Sequence, residues 1–357
     1  MTKIQQIADF SGQTINVGID VHLKKWNITL YHEQQYLRKF QQEAKPQTLV
    51  KHLTNHFPNA HFKLAYEAGF CGFWIQREFE QAGMECMVVN AADVPQTDKG
   101  IKTKTDIVDS RRIGQALSAG MLRPIYVPTE ETESDRSLVR YRHKLRNDLA
   151  RSKSRIKSFL HNMGIKIPAE FDNSRYTLGF LKWLKEFPIP HSFSKLTLSR
   201  MIQHLEYLQG QILQLTRDLR TLIRTDRYVN QAKLLLSVPG IGNLTAISLL
   251  TEIGDIKRFK NFYHFNSFVG LCPTEFSSGE SEQKGGITPR HHHVLRSLIV
   301  EMSWSAIRLD PAMTIAYNDY TKRMTGKRAI TRIARKMLNR IYHLLIKQQS
   351  YEKGIIK

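Results

Sequence analysis

Residues 104–114 read KTDIVDSRRIG, which sets two carboxylates one helical turn apart beside a pair of arginines. Asp106 and Asp109 stand at i and i+3, so a helix puts them on one face, where both can hold the same cation. Two earlier acids belong with them. Asp20 closes the apolar run INVGID (15–20), and Glu67 lies at the end of the run FKLAYEA (62–68). An acid at one strand end, an acid at a second strand end and an acidic pair opening a helix form the layout of a two-metal phosphoryl-transfer site. Mg²⁺ prefers carboxylate oxygen and keeps part of its water shell, and two ions about 4 Å apart stabilise both the attacking and the leaving oxygen of an in-line displacement. Singly, Asp20 reads as well as a turn residue and Glu67 as a solvated strand end. The four together carry the reading.

Composition says what such a site would act on. The 357 residues leave room for two or three domains, each with its own core. Lysine and arginine number 53 against 32 acids, a formal charge of +21 spread along the chain rather than held in one tail. That is the footprint of a polyanion binder, because each neutralised phosphate releases counterions. Cys71, Cys86 and Cys272 stand apart without metal-ligand spacing, so neither a zinc site nor a disulfide framework is indicated. The N-terminus MTKIQQIADF has no long apolar segment, and no run approaches the roughly 18 apolar residues of a membrane span. The expectation is a soluble, cytoplasmic protein with no membrane partner.

Short apolar strands are predicted at 15–20, 26–32 and 36–43, as an antiparallel meander. Helix 46–57 follows with Leu49, Val50, Leu53 and Phe57 at helical spacing, then strand 62–68, helix 72–82, strand 85–90 and the Asp106 helix. Three strands and then alternating helix and strand is the order of an RNase H-like α/β domain, taken as residues 1–128. Lys102 and Lys104, just ahead of the acidic helix, are candidates for substrate phosphate. His22 reads either as a loop residue or as a substrate contact.

Residues 129–225 change character. Helix 134–163 carries Leu138, Leu145, Leu149, Ile156 and Leu160 on one side and nine cations elsewhere, among them Arg136 and Arg140. Arg142, Arg146, Lys153 and Lys157 are its chosen nucleic-acid contacts. The next helix sets Leu198, Met201, Leu205, Leu208, Ile212, Leu215, Leu219 and Leu222 in alternating steps of three and four, a coiled-coil seam of about 3.5 residues per turn. Its partner is either the preceding helix, folded back as a hairpin, or another subunit.

A third region, 226–357, is helical. Val238-Pro239-Gly240-Ile241-Gly242 resembles a helix-hairpin-helix turn, in which the amides of Gly240 and Gly242 cradle phosphate; the plainer reading is a tight turn that needs glycine. Residues 272–280 then read as a polar loop with several candidate nucleophiles, running on past Arg290 into a helix from His291. Adjacent helical residues diverge by about 100°, so His291, His292 and His293 do not share one ion and read as backbone or substrate contacts. The last basic helix is 327–347.

The segments GIDVH, YEAG, KTDIVDSRRI, LLSVPGIGNLTAISLLTEIGD, FVGLCP, SSG and LRSLIVEMSW resemble, in order and over nearly the whole chain, the DEDD transposases of the "one-ten" insertion-sequence family. That family includes Piv/MooV-type DNA invertases and bridge-RNA-guided recombinases. The resemblance implies an α/β RuvC-like (RNase H fold) domain, a coiled-coil middle and an all-α transposase domain. It implies a metal tetrad of Asp20, Glu67, Asp106 and Asp109, holding two Mg²⁺ with Mn²⁺ as substitute, and a nucleophile at Ser278, with Ser277 the near alternative. Donor and target DNA, a structured noncoding bridge RNA and a homo-oligomer built as a dimer of dimers are the implied partners, at the bacterial nucleoid. The family more often has lysine and then Gly-Asn before the Leu-Arg pair. This chain has Pro289-Arg290-His291-His292-His293 ahead of Leu295-Arg296, a departure that bears on local DNA contacts and not on the tetrad. The implied activity is DNA strand cleavage and rejoining through a phosphoserine intermediate. It needs no ATP, and no GxxxxGK[ST] loop is present. The rival readings are a hydrolytic RuvC-like Holliday-junction nuclease and a non-catalytic nucleic-acid-binding protein.

Overall fold

A computed structural model of the chain describes residues 9–95, 106–172, 176–278 and 281–354; the side chains of 106–108, 275–278 and 281–284 are outside that description. The chain divides into two compact units, Met1–Val127 and Pro128–Lys357. Among the described residues no helix is long and apolar enough to cross a membrane.

In the first unit the apolar runs form strands β1 (Thr14–Asp20), β2 (Lys25–His32), β3 (Gln35–Glu43), β4 (His61–Glu67) and β5 (Glu85–Val89), with helices α1 (Pro46–His56), α2 (Trp74–Gln81) and α3 (Asp106–Ser118). Their order is β3-β2-β1-β4-β5. The first three strands are antiparallel, while β4 and β5 run parallel to β1 and to each other. This is a five-stranded mixed sheet, consistent with the RNase H-like order expected from the sequence. Successive residues alternate between faces. Ile15, Val17 and Ile19 join Trp26, Ile28, Leu64 and Tyr66 beneath Leu49 and Leu53 of α1 and Ile75 and Phe79 of α2. On the other face Ala65 and Val89 pack with Ile113, Ala116 and Leu117 of α3.

What seats α3 is the absence of a side chain in β1. A Cβ on Gly18 would stand 2.2 Å from the Ser110 carbonyl oxygen and 2.3 Å from the Gly114 amide. The helix therefore lies directly on the strand backbone, and a buried hydrogen bond of 2.9 Å between Thr29 Oγ1 and Ser110 Oγ fixes its height.

The second unit begins with α4 (Glu130–Asn162), longer at its start than the apolar spacing suggests. Thr129 accepts from the Thr132 amide, and Glu130, Glu131 and Glu133 fill the first turn, where acids favour the helix dipole. α5 (Leu178–Glu186) and α6 (Ser192–Leu222) follow. The heptad seam of α6 meets α4 of the same chain: Leu208 and Leu215 pack on Leu145, while Leu198, Ile202 and Leu205 join Ile156 and Leu160. Of the two partners left open, the folded-back hairpin is the one observed.

The remaining elements are α7 (Val229–Leu236), α8 (Asn243–Ile253), α9 (Phe262–Val269), β6 (Pro273–Ser278), β7 (Ser281–Ile287), α10 (His293–Leu309), α11 (Pro311–Thr321) and α12 (Gly326–Lys347). Residues 246–253 of α8 are buried all round, as a central helix must be. The core about it includes Ile299, Met302 and Ile333, and also Val139, Leu219 and Ile223 from the base of the hairpin. The expected polar loop after Cys272 is instead a two-stranded antiparallel sheet of β6 and β7. Its stem is tied by Thr288 N–H to the Cys272 carbonyl at 3.0 Å and by Thr274 Oγ1 to the Gly286 carbonyl at 3.1 Å.

Candidate active site

Strand register brings the first two acids together. Ile19 lies opposite Tyr66 in the parallel pair, so Asp20 and Glu67 end adjacent strands at the same edge of the sheet. Asp20 accepts from His22 Nε2 at 2.9 Å and from Asn27 Nδ2 at 3.2 Å. Gln41 in turn donates to Asn27 Oδ1 at 2.8 Å, so a polar row crosses β3, β2 and β1 and orients the Asp20 carboxylate. Lys39 feels the same carboxylate. Burial lowers its ammonium pKa, with Arg111 in the same sense and Asp20 acting against them.

The third acid comes from α3, through an arginine that sequence reasoning noted only as a neighbour. Arg112 lies 3.1 Å from Glu67 and 3.3 Å from Asp109, one guanidinium across two carboxylates from different elements. All three side chains are mostly buried, and without that charge the acids would repel. Its i+3 spacing from Asp109 was visible in sequence; its reach to Glu67 depends on the Gly18 contact that lays α3 on β1. Asp106 opens α3 one turn before Asp109, with its side chain outside the described residues. Lys102 and Lys104 lie outside them too. Among the described residues no group of three His, Cys, Asp or Glu side chains forms a ready metal cage.

Ser277 and Ser278 stand in the second unit at the end of β6, where the ladder pairs Ser277 with Glu282 and Ser278 with Ser281; their side chains are not described.

The basic helix divides its labour. Arg136 Nε donates to the Thr251 carbonyl at 2.9 Å, and Arg140 grips Glu252 with bonds of 2.7 and 2.8 Å. These two cations, which are not among the four expected nucleic-acid contacts of this helix, serve packing. The reason is Glu252, whose side chain is fully buried on α8 and needs counter-charge. Burial alone would raise its carboxyl, but hydrogen bonds from Arg140 and His292 hold it down at about 2. Of the chosen contacts, Arg142 donates to Thr216 Oγ1 at 2.9 Å, Lys153 lies over the Tyr176 ring, Lys157 pairs with Asp172 at 3.3 Å, and Arg146 is exposed.

Gly240 has φ +88°, and a Cβ there would stand 2.5 Å from the Met302 carbonyl oxygen, so the tight-turn reading accounts for it. Gly242 caps α8 in an extended conformation with open space beside it. The histidine run splits as its angular spread requires. His291 Nδ1 donates to the Pro289 carbonyl at 2.6 Å, whereas His292 accepts the Leu295 amide through Nδ1 and reaches Glu252 through Nε2 at 3.2 Å. As a cap, His292 delays the helix to His293. Arg290 precedes the run in an exposed position.

Comparison with known proteins returns one family twice. Residues 232–318 match the family described as transposase IS116/IS110/IS902, and residues 17–165 match a DEDD transposase family of the IS110 type. The chain is 30% identical over 297 residues to a putative transposase of Sinorhizobium fredii, covering 76% of this chain and 74% of that protein. A second putative transposase of the same organism is 27% identical over 262 residues, of which this chain spans 61% of the length. A pilin gene-inverting protein of Moraxella bovis is 30% identical over 159 residues, 43% of this chain and 48% of its own.

Proposed function

The chain belongs to the IS116/IS110/IS902 family of DEDD transposases, and we propose that it cuts and rejoins DNA as a site-specific recombinase of an insertion sequence, through a serine-linked intermediate. The observation that carries this is that Asp20 and Glu67 end adjacent strands at one edge of the sheet, with Arg112 bridging Glu67 to Asp109 of α3. Together with Asp106 they would offer an all-oxygen donor set, which suits Mg²⁺, or Mn²⁺ in its place. Bound there, the cations supply neutralisation of the charge that builds on a scissile phosphate.

The chain's own residues do the rest. The Ser278 hydroxyl attacks phosphorus; a serine oxygen–phosphorus bond forms as the phosphorus–oxygen bond to the departing strand breaks, and the proton lost by serine ends on the departing oxygen. Reversal on a new strand restores the serine and conserves the phosphodiester energy, so no nucleotide triphosphate is consumed. In this reading residues 1–128 carry the acids, 129–225 the basic hairpin and 226–357 the nucleophile. Lys102, Lys104, Gly242, Arg290 and the outer cations of α4 hold backbone phosphate. A structured noncoding RNA pairing with donor and target would carry the sequence information, and a dimer of dimers would hold the strands for exchange.

The test is a suicide DNA substrate incubated with Mg²⁺, the noncoding RNA flanking the element, and wild type, Ser277→Ala or Ser278→Ala protein, then denatured. A DNA–protein adduct lost in Ser278→Ala alone is the expected result. Loss in Ser277→Ala alone moves the nucleophile by one residue. Cleavage by wild type without any adduct gives the hydrolytic mechanism instead.

A further inference from the structure

α10 presents a charged and aromatic face to which the proposed reaction assigns no role. His293, Arg296, Val300, Glu301 and Trp304 line an open groove of about 530 Å³ along that face. At helical rise the row runs roughly 16 Å. Trp304 is 42% exposed, and Tyr317 of α11 meets it edge-on, with ring centroids 5.9 Å apart at 65°. The indole thus keeps an aromatic neighbour on one side while much of it remains open to solvent. Arg296 is the second unusual group. It donates to the Thr288 carbonyl, its Nε is buried without a hydrogen-bond partner, and no carboxylate pairs with it among the described residues. A guanidinium part-removed from water without an anion is costly to keep.

We propose that this groove binds unpaired nucleotides, with the Trp304 indole stacking on a base and Arg296 holding the adjoining phosphate. The inference rests on the reading that this chain handles nucleic-acid strands, and adds where a single strand is held during exchange. A duplex fits less well, since its base faces already stack on one another and offer only backbone to an exposed ring. Glu301 is the groove's one acid among the described residues; it sets a limit on phosphate at that end and can accept from an exocyclic amino group. Stacking is tolerant of sequence, so the site would serve any displaced strand.

The experiment is binding of labelled oligothymidylate, and separately of a mixed-sequence duplex of equal length, to the full chain as wild type, Trp304→Ala and Trp304→Phe, with circular dichroism to verify folding. Trp304→Ala should weaken oligothymidylate roughly tenfold, change the duplex by less than twofold, and be restored in Trp304→Phe. Unchanged oligothymidylate binding in Trp304→Ala overturns the proposal, as does equal loss on both probes. A wild type that binds neither probe removes the strand-handling reading itself, whereas a wild type that binds both and is indifferent to Trp304 removes the groove alone. Should Trp304→Ala fail to fold, photo-crosslinking of wild type to bromodeoxyuridine-substituted oligonucleotide decides. Attachment at Trp304 supports the site, and attachment only elsewhere overturns it.

Discussion

Arg112 sits between Glu67 and Asp109 because two carboxylates brought to one sheet edge need a positive charge. Arg112→Ala should therefore destabilise the protein by about 1–2 kcal/mol, and added Mg²⁺ should return part of that loss in a thermal melt, since a cation can replace the missing one. The acids themselves should behave differently. Asp20→Ala, Glu67→Ala, Asp106→Ala and Asp109→Ala are each expected to abolish strand cleavage while leaving DNA retention in a gel-shift assay close to wild type; full cleavage by Asp20→Ala would end the metal-site reading. Glu252 gives a pH prediction. Its folded pKa of about 2 lies below the ordinary 4.5, so its contribution is complete above about 4.5 and is lost as pH falls towards 2. Glu252→Gln should flatten acid unfolding in that window and cost about 2–3 kcal/mol at neutral pH, by leaving Arg140 and Arg136 without their buried partner. The placement of Asp20 and Glu67 at adjacent strand ends was legible because acids there interrupt apolar runs. Glu252 was not singled out, although a lone acid within LLTEI is a signal: buried on a helix, it must find a cation.

Among elements, α3 depends on a close approach that apolar periodicity does not register. Gly18 reads as an unremarked member of a strand, yet its missing Cβ admits the backbone of α3 at Ser110 and Gly114. Gly18→Ala should push α3 outward and carry Asp109 away from Glu67, with loss of cleavage and a stability cost of about 3 kcal/mol by chemical denaturation. Five strands and most helices followed from apolar spacing, because each buries one face. The β6–β7 sheet did not, since its polar and glycine-rich strands carry no alternating pattern to betray pairing. In α4 the sequence showed how many cations there are, not which ones are committed to Glu252, Thr216, Tyr176 or Asp172. Lys144, Arg146 and Arg155 are exposed on the same helix, and replacing all three by glutamine should lower the slope of log affinity against log salt by about one unit for each phosphate no longer neutralised. An unchanged slope would place the polyanion elsewhere, with α12 the next candidate through Arg328, Arg332 and Lys336 on its exposed face.

At the scale of the whole molecule, the groups proposed for one reaction are shared between two compact units, the acids before Val127 and the serine after Pro128. A hydrolase needs no such division, because water reaches the acids unaided. A strand transferase gains by it: a nucleophile carried on a separate unit can be withheld until partners assemble, so that cleavage happens only where rejoining can follow. If the serine of one subunit completes the acid site of another, two dead proteins should rescue each other. Asp20→Ala protein retains Ser278 and Ser278→Ala protein retains the acids, so a mixed assembly contains one intact composite site. Mixing the two with suicide substrate, RNA and Mg²⁺ should restore covalent adduct, carried by the Asp20→Ala chain, which a size tag on either protein would identify on a denaturing gel. Adduct confined to wild-type protein, with none from the mixture although the two variants co-purify, would mean that each chain joins its own serine to its own acids.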